Sequence, residues 1–396
     1  MTTIELSTKL DLAAQRFARA FVSHVLSGCD PRKLVSESVD FKRFNSPTHV
    51  LAFGKASTKM AQACVLKLGP RFAGGIVLTP DALGPSSIPD DALKYFGVDH
   101  PAPTARNVSA TDALAQYARS IPAGHNCIVC ISGGGSAHLC CPNPGVTLEQ
   151  INETTESLNA RGASIHELNK ARRSLETLKG GGLAEVLGHV SYCQAIVLSD
   201  VLGDHLDIIA SGPMENPDLP VEHTIIGNHQ TALDAAEEFI IRQVSIGVCS
   251  AGIGGDSSDR GRELADTYLK SGQMPCMIAG ETTVDAAHTV GVGGPCMELA
   301  LACAIYLAQS GNTEWVVLGL ATDGVDGPSN AAGAVIVSES LRTPRLQVIA
   351  TEALNGHNTL PFLDSIHSTI RTGPTGTNLN DLCLVCSMGT MGHFNN

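Results

Sequence analysis

CIVCISGGGSAH (127–138) decides how this chain is read. Its first six residues are an apolar run that reads as a strand buried on both faces, as in a parallel sheet covered by helices. Gly133, Gly134 and Gly135 follow at once, bracketed by Ser132 and Ser136. Three residues without side chains let backbone amides converge and let an anion approach closely. Two readings stand: a phosphate cradle, or a tight turn leaving a strand.

Working outward, further apolar runs read as strands: VLAFGK (50–55), GGIVLTP (74–80), QAIVLSD (194–200), IGVCSAG (246–252), MIAGETT (277–283), WVVLGLATD (315–323), GAVIVS (333–338) and LCLVCSMG (382–389). Helical spacing of apolar residues covers 7–27 and recurs near 297–309. Thr147 with Gln150, and Ser164 with Glu167, each fit a capping box. The second of these helices is expected to run to about Lys179 and stop at Gly180–Gly182. Lys55, Ser132, Asp200, Glu281 and Asp323 close strands with polar groups, and open parallel sheets bind ligands outside their carboxyl ends.

At 396 residues the chain exceeds what one core usually serves, so two domains are expected. Few aromatics (4%) and 40 glycines suit an α/β architecture with tight turns. A formal charge of −13 disfavours nucleic acid and anionic membranes as partners. The 13 cysteines include Cys127/Cys130 and Cys383/Cys386, but residues three apart on a strand face opposite ways, so neither pair chelates one metal easily. They read as free core thiols in a reducing, cytoplasmic setting. No apolar run reaches transmembrane length, and the first fifteen residues lack the apolar stretch of a secretory signal.

The chemistry-bearing residues lie around those strand ends. There is no Walker A loop; G-x-S-x-G fails at His138, and Gly252-Ile-Gly254-Gly255 misses the dinucleotide fingerprint at Ser257. Asn169, Arg172, Arg173 and Glu176 share helical spacing, and Lys179 sits at a glycine turn. This stretch reads either as a cation cluster for anions or as a solvated helix face. Lys55 between Gly54 and Ala56 offers a point charge for a phosphoryl group, or is an exposed junction lysine. Asp200, Asp204 and Asp207 form one carboxylate cluster, Asp323 and Asp326 another. Either suits Mg²⁺, whose remaining ligands are phosphates and water; either also suits ordinary loop chemistry.

As a set, FGKA (53–56), DHPAPTARNVSA (99–110), SGGGSA (132–137), RGASIHELNKARRSL (161–175), KGGGLA (179–184), LSDVLGD (198–204), IASGP (209–213), GETTV (280–284), ATDGVDGPSNAAGA (321–334) and TGPTGTNLNDL (372–382) resemble the class II glycerate kinases of the MOFRL type. The resemblance implies a larger Rossmann-like N-terminal domain (1–240) and a smaller α/β C-terminal domain (241–396), with the active site in the interdomain cleft. It implies ATP, Mg²⁺ and D-glycerate as a small-molecule substrate, 2-phosphoglycerate as product, and a homodimer is compatible with it. Carried onto this chain, it makes Lys55, Asp200 and Arg172 catalytic, and gives Ser132, Gly133, Gly134, Gly135, Ser136 and Lys179 to phosphate. Asn169, Glu281, Asp323, Thr375 and Asn378 go to substrate, and Asp200 and Asp204 to metal. Two positions depart from the family pattern. Where it usually reads GGRNQELA, this chain has Gly293-Gly294-Pro295-Cys296-Met297-Glu298-Leu299-Ala300, so the arginine is Pro295; where it tends to place a basic residue, this chain has Gly182. Losing a buried, unreplaced cation costs on the order of 2–5 kcal/mol. Arg371 is the candidate replacement. The alternatives are a relative that binds without efficient transfer, and a hydroxypyruvate reductase, which the missing dinucleotide fingerprint argues against.

Overall fold

The structure, a computed structural model, describes residues 2–80, 92–244, 248–284 and 291–392. Its strands are β1 (Glu5–Leu6), β2 (Thr48–Phe53), β3 (Phe72–Thr79), β4 (Leu93–Gly97), β5 (Asn126–Ser132), β6 (Tyr192–Leu198), β7 (Val221–Gly227), β8 (Cys249–Asp256), β9 (Cys276–Thr283), β10 (Trp315–Ala321), β11 (Gly333–Val337), β12 (Thr369–Arg371) and β13 (Asp381–Ser387).

The chain divides into two compact units. One comprises Asp30–Asn228 with Gly376–Asn378; the other comprises Met1–Cys29, His229–Thr375 and Leu379–Asn396. The linear division at residue 240 therefore does not describe the first 29 residues. Helix Leu12–Gly28 packs on helix His229–Val244, with Phe17, Phe21 and Phe239 in mutual ring contact. That apolar face has to be covered, and a segment two hundred residues away in sequence covers it.

The Asp30–Asn228 unit holds a six-stranded sheet in the order β4-β3-β2-β5-β6-β7, every pairing parallel. Strands β2 and β5 are buried along their whole length, as a parallel sheet covered on both faces requires. The order steps one way from β2 to β4 and the other way from β5 to β7, the Rossmann-type doubly wound arrangement. Cys127 belongs to a core with Cys193, Leu114 and Leu183, while Cys130 lies 3.7 Å from Cys64, sulfur to sulfur. All 13 cysteines are free thiols.

The other unit has a mixed seven-stranded sheet, β1-β12-β11-β10-β13-β9-β8. Only β8 and β9 are parallel; the remaining pairs run antiparallel. The strand expected at 246–252 is observed as Cys249–Asp256, with residues 246 and 247 outside the described residues. Gly252, Gly254 and Gly255 lie inside this strand, where the turn of a dinucleotide fingerprint cannot form. Helix Pro295–Gln309 is apolar almost all round and is buried accordingly against Trp315, Val317 and Leu354.

Both capping boxes form, at Thr147 and at Ser164. The helix opened by Ser164 ends at Leu175, short of the expected Lys179. Glu176 is extended and bridges Pro142, and the glycines after Lys179 lead into a separate helix, Gly182–Leu187.

Candidate active site

The carboxyl ends of β2 and β5 flank the point where the strand order reverses, which is where a doubly wound sheet opens a crevice. Each end delivers one motif. From β2 the chain enters Gly54-Lys55-Ala56, and from β5 it enters Gly133-Gly134-Gly135-Ser136.

Three successive amides of the lysine turn are donated to the other motif. Gly54 N–H goes to His138 Nδ1 (3.0 Å), Lys55 N–H to the Gly133 carbonyl (2.8 Å) and Ala56 N–H to Ser132 Oγ (3.0 Å). Gly54 has φ +105°, and a Cβ there would lie 2.3 Å from the Ser132 carbonyl oxygen, so no other residue brings the strand ends this close. His138 is fully buried. Burial, with the neighbouring His100, Lys55 and Lys179 adding, pulls its pKa down to about 3, so the ring stays neutral and Nδ1 keeps its lone pair.

Asp200 follows β6 and reaches the glycine loop. A Cβ on Gly133 would sit 2.0 Å from Asp200 Oδ2 and 2.2 Å from Asn378 Nδ2, and Asn378 donates to Asp200 over 3.0 Å. One on Gly134 would lie 3.1 Å from the His100 ring and 3.4 Å from Lys55 Cγ. Lys55, Gly133, Gly134, Asp200 and Asn378 thus form one constellation, with His100 and Gly135 beside it. Asp204, with φ +53°, accepts from Asn228 through Oδ2 (2.6 Å), while its Oδ1 is buried without a hydrogen-bond partner.

Behind the loop lies a second set of polar groups. Lys179 is fully buried; its ammonium donates to the Ser136 carbonyl (2.5 Å) and lies 3.9 Å from Glu176. Burial pushes the lysine pKa down and the glutamate pKa up, and each partner's charge opposes the other's shift. Arg172 has its pKa lowered by burial, with Glu176 opposing. Asn169 is buried and bonded at both ends, to Ser211 and to the Ile208 carbonyl. Lys179 and Asn169, given to phosphate and substrate by the resemblance, lie behind the loop, in contact with Ser136 and Glu176 and with Ser211 and Ile208.

The remaining expected residues belong to the other unit. Glu281 is an exposed residue of β9. Asp323 accepts from Val325 N–H (3.0 Å) and, through its carbonyl, from Thr375 N–H (2.9 Å); Thr375 Oγ1 donates to the Thr322 carbonyl (2.6 Å). Asp326 is buried and accepts from the N–H groups of Cys296 (3.0 Å) and Met297 (2.7 Å), capping helix Pro295–Gln309. Burial, with Asp323 and Glu298 adding, raises its pKa to about 7 against the pull of those two amides. Arg371 donates from Nη2 alone to both carboxylate oxygens of Asp364, at 2.9 Å each.

Sequence reading noted His138 and Glu176 without giving either a role at the glycine loop, and gave none to Ser211 or Asn107. Asn107 Nδ2 donates to the Ala137 carbonyl (2.8 Å) and so ties DHPAPTARN to the glycine loop. Asn107 carried a local signal, a T-x-x-N capping box with Thr104. Among the described residues no group of three His, Cys, Asp or Glu side chains is placed to hold a metal ion.

Comparison with known proteins places the chain in a family. Residues 17–237 match a family described as a domain of unknown function, DUF4147, and residues 274–381 match the MOFRL family. A D-glycerate 2-kinase of Thermotoga maritima is 31% identical, over 85% of this chain and 89% of its own length. A glycerate 2-kinase of Pyrococcus horikoshii is 28% identical, over 89% and 90%. The crystal structure of a glycerate kinase from Thermotoga maritima superposes with a TM-score of 0.81 at 28% identity, covering 94% of this chain and 99% of that one. The chain therefore belongs to the class II glycerate kinase family, in which a DUF4147 region is followed by a MOFRL region.

Proposed function

We propose that the protein transfers the terminal phosphoryl group of ATP to D-glycerate, giving 2-phosphoglycerate and ADP. The observation that carries this reading is the latch between the Lys55 turn and the Gly133–Ser136 loop at the switch point of the six-stranded sheet. Phosphoryl transfer asks mainly for positioning and for neutralising charge. The glycine loop supplies close approach and amides, and Lys55 the cation. Asp200 lies against Gly133, and its carboxylate takes the proton of the attacking hydroxyl in this reading. That oxygen bonds to the γ-phosphorus as the bond to the bridging β–γ oxygen breaks, and the electron pair leaves with ADP.

Mg²⁺ fits these residues in kind. It is held by few protein carboxylates plus phosphate oxygens and water, and Asp204 offers a buried carboxylate oxygen without a partner. Asp200 and Asp204 would hold it, and bound there it would offset phosphate charge. The free thiols suit a reducing, cytoplasmic setting.

Phosphorus NMR of the protein with ATP, Mg²⁺ and D-glycerate tests the reading. Signals of ADP and 2-phosphoglycerate are expected; a folded sample giving neither, at high enzyme concentration, would sink it. A second reading, binding without efficient transfer, is favoured by Pro295, which stands where the family usually has an arginine. Pro295→Arg is then expected to raise kcat/KM for glycerate about tenfold or more, about 1.4 kcal/mol of restored contact. An unchanged rate counts against a role for that position.

A further inference from the structure

Hydrogen bonds behind the glycine loop set a direction for the Ser136 hydroxyl. Asn169 Nδ2 faces the Ile208 carbonyl at 3.4 Å, which orients the amide, because the opposite orientation would oppose two acceptors. Asn169 Oδ1 then receives the single hydroxyl proton of Ser211 over 2.7 Å. Ser211 Oγ and Ser136 Oγ are 2.9 Å apart, and with the Ser211 proton spent, Ser136 must be the donor. Ser211 has little freedom to escape. It sits at φ +64° between Ala210 (+52°) and Gly212 (+67°), and its carbonyl is held by Gly180 N–H at 3.0 Å. Ser136 itself is partly exposed, while Asn169 and Ser211 are buried.

A hydroxyl whose proton is used inward presents only lone pairs outward. It cannot donate to a phosphate oxygen, which carries acceptors alone; it can accept from an alcohol. We propose that Ser136 is a specificity-determining residue that accepts a hydrogen bond from a hydroxyl of the hydroxy-acid substrate, with Ser211 and Asn169 as the positioning residues that fix its polarity. This assigns Ser136 to the acceptor alcohol instead of the nucleotide, and it rests on the kinase reading above.

The test is calorimetry and steady-state kinetics on the full chain, wild type against Ser136→Ala, Ser136→Thr and Ser211→Gly, the glycine accepting the positive φ. The ligands are D-glycerate, D-lactate, 3-hydroxypropanoate and a non-hydrolysable ATP analogue. Ser136→Ala and Ser211→Gly are each expected to weaken D-glycerate about tenfold, a typical loss for one hydrogen bond. The ATP analogue should stay within about twofold, and Ser136→Thr should restore D-glycerate binding. The penalty should vanish for whichever of D-lactate and 3-hydroxypropanoate lacks the contacted hydroxyl, which a general loosening of the loop would not produce. Equal losses for all ligands, a loss confined to the ATP analogue, or no loss with an active wild type would overturn the assignment. Ser136→Ala, at a partly exposed position, decides the matter alone if Ser211→Gly does not fold. A folded wild type that neither binds nor turns over these ligands would overturn the kinase reading, and this assignment with it.

Discussion

Gly133 is where the smallest side chain does the most. A methyl group there would meet the Asp200 carboxylate and the Asn378 amide at 2.0 and 2.2 Å. Gly133→Ala is expected to cost about 1–3 kcal/mol in denaturant unfolding and to remove most glycerate kinase activity by displacing Asp200. Retained activity would show that Asp200 is not held by this contact. Asp326 makes a prediction about pH. Its folded pKa of about 7 lies above the ordinary carboxylate value of 3.8. The folded state therefore holds the proton more tightly than the unfolded chain. The stabilisation from this group is full below about pH 4 and is lost as pH rises towards 7. Relative to Asp326→Asn, the wild type should lose stability over that window, by on the order of 4 kcal/mol at most. A gap between the two proteins that stays constant from pH 4 to 8 would refute the shift. At this scale the glycine loop and Lys55 stand out in the sequence because they sit at strand ends, and Lys179 because glycines follow it. The Glu176 carboxylate and Ser136 carbonyl around its ammonium are read only from tertiary contacts.

Helix starts were more legible than helix ends. The Ser164 capping box is a local device: its hydroxyl accepts from Glu167 N–H (3.3 Å) and the Glu167 carboxylate accepts from Ser164 N–H (2.9 Å). Ser164→Ala should cost about 1 kcal/mol in chemical denaturation. A change in activity far beyond that loss would mean the cap also positions Asn169 and Arg172 on the same helix. The end of this helix is set differently. Cys141 N–H donates to the Glu176 carboxylate, and the bridge to Pro142 pulls Glu176 out of helical geometry. The glycines at 180–182 look like a helix terminator but belong to the turn before the next helix. A cap is written within four residues, whereas this termination depends on a partner strand about 35 residues away.

At the scale of the molecule, helix Leu12–Gly28 belongs with residues 229–375. Phe21 is fully buried there, edge-on to Phe239. Phe21→Ala should cost about 3–5 kcal/mol. In hydrogen exchange the loosening should appear in 229–242 and leave β2, β3 and β5 protected. Equal loss in both regions would contradict the division into units.

The sequence by itself determined the buried strands, the glycine loop after β5 and the caps. Each is a property of neighbouring residues, through periodicity, missing side chains or hydrogen bonds within one turn. Only the tertiary structure decided that one sheet is wholly parallel and the other mostly antiparallel, and that helix Leu12–Gly28 packs on the distant helix His229–Val244. It also decided that Ser211 and Asn169 dictate which way the Ser136 proton points. Those outcomes depend on which strand or side chain is met across a long loop, and a linear pattern of apolar and polar residues does not encode partner choice at that range.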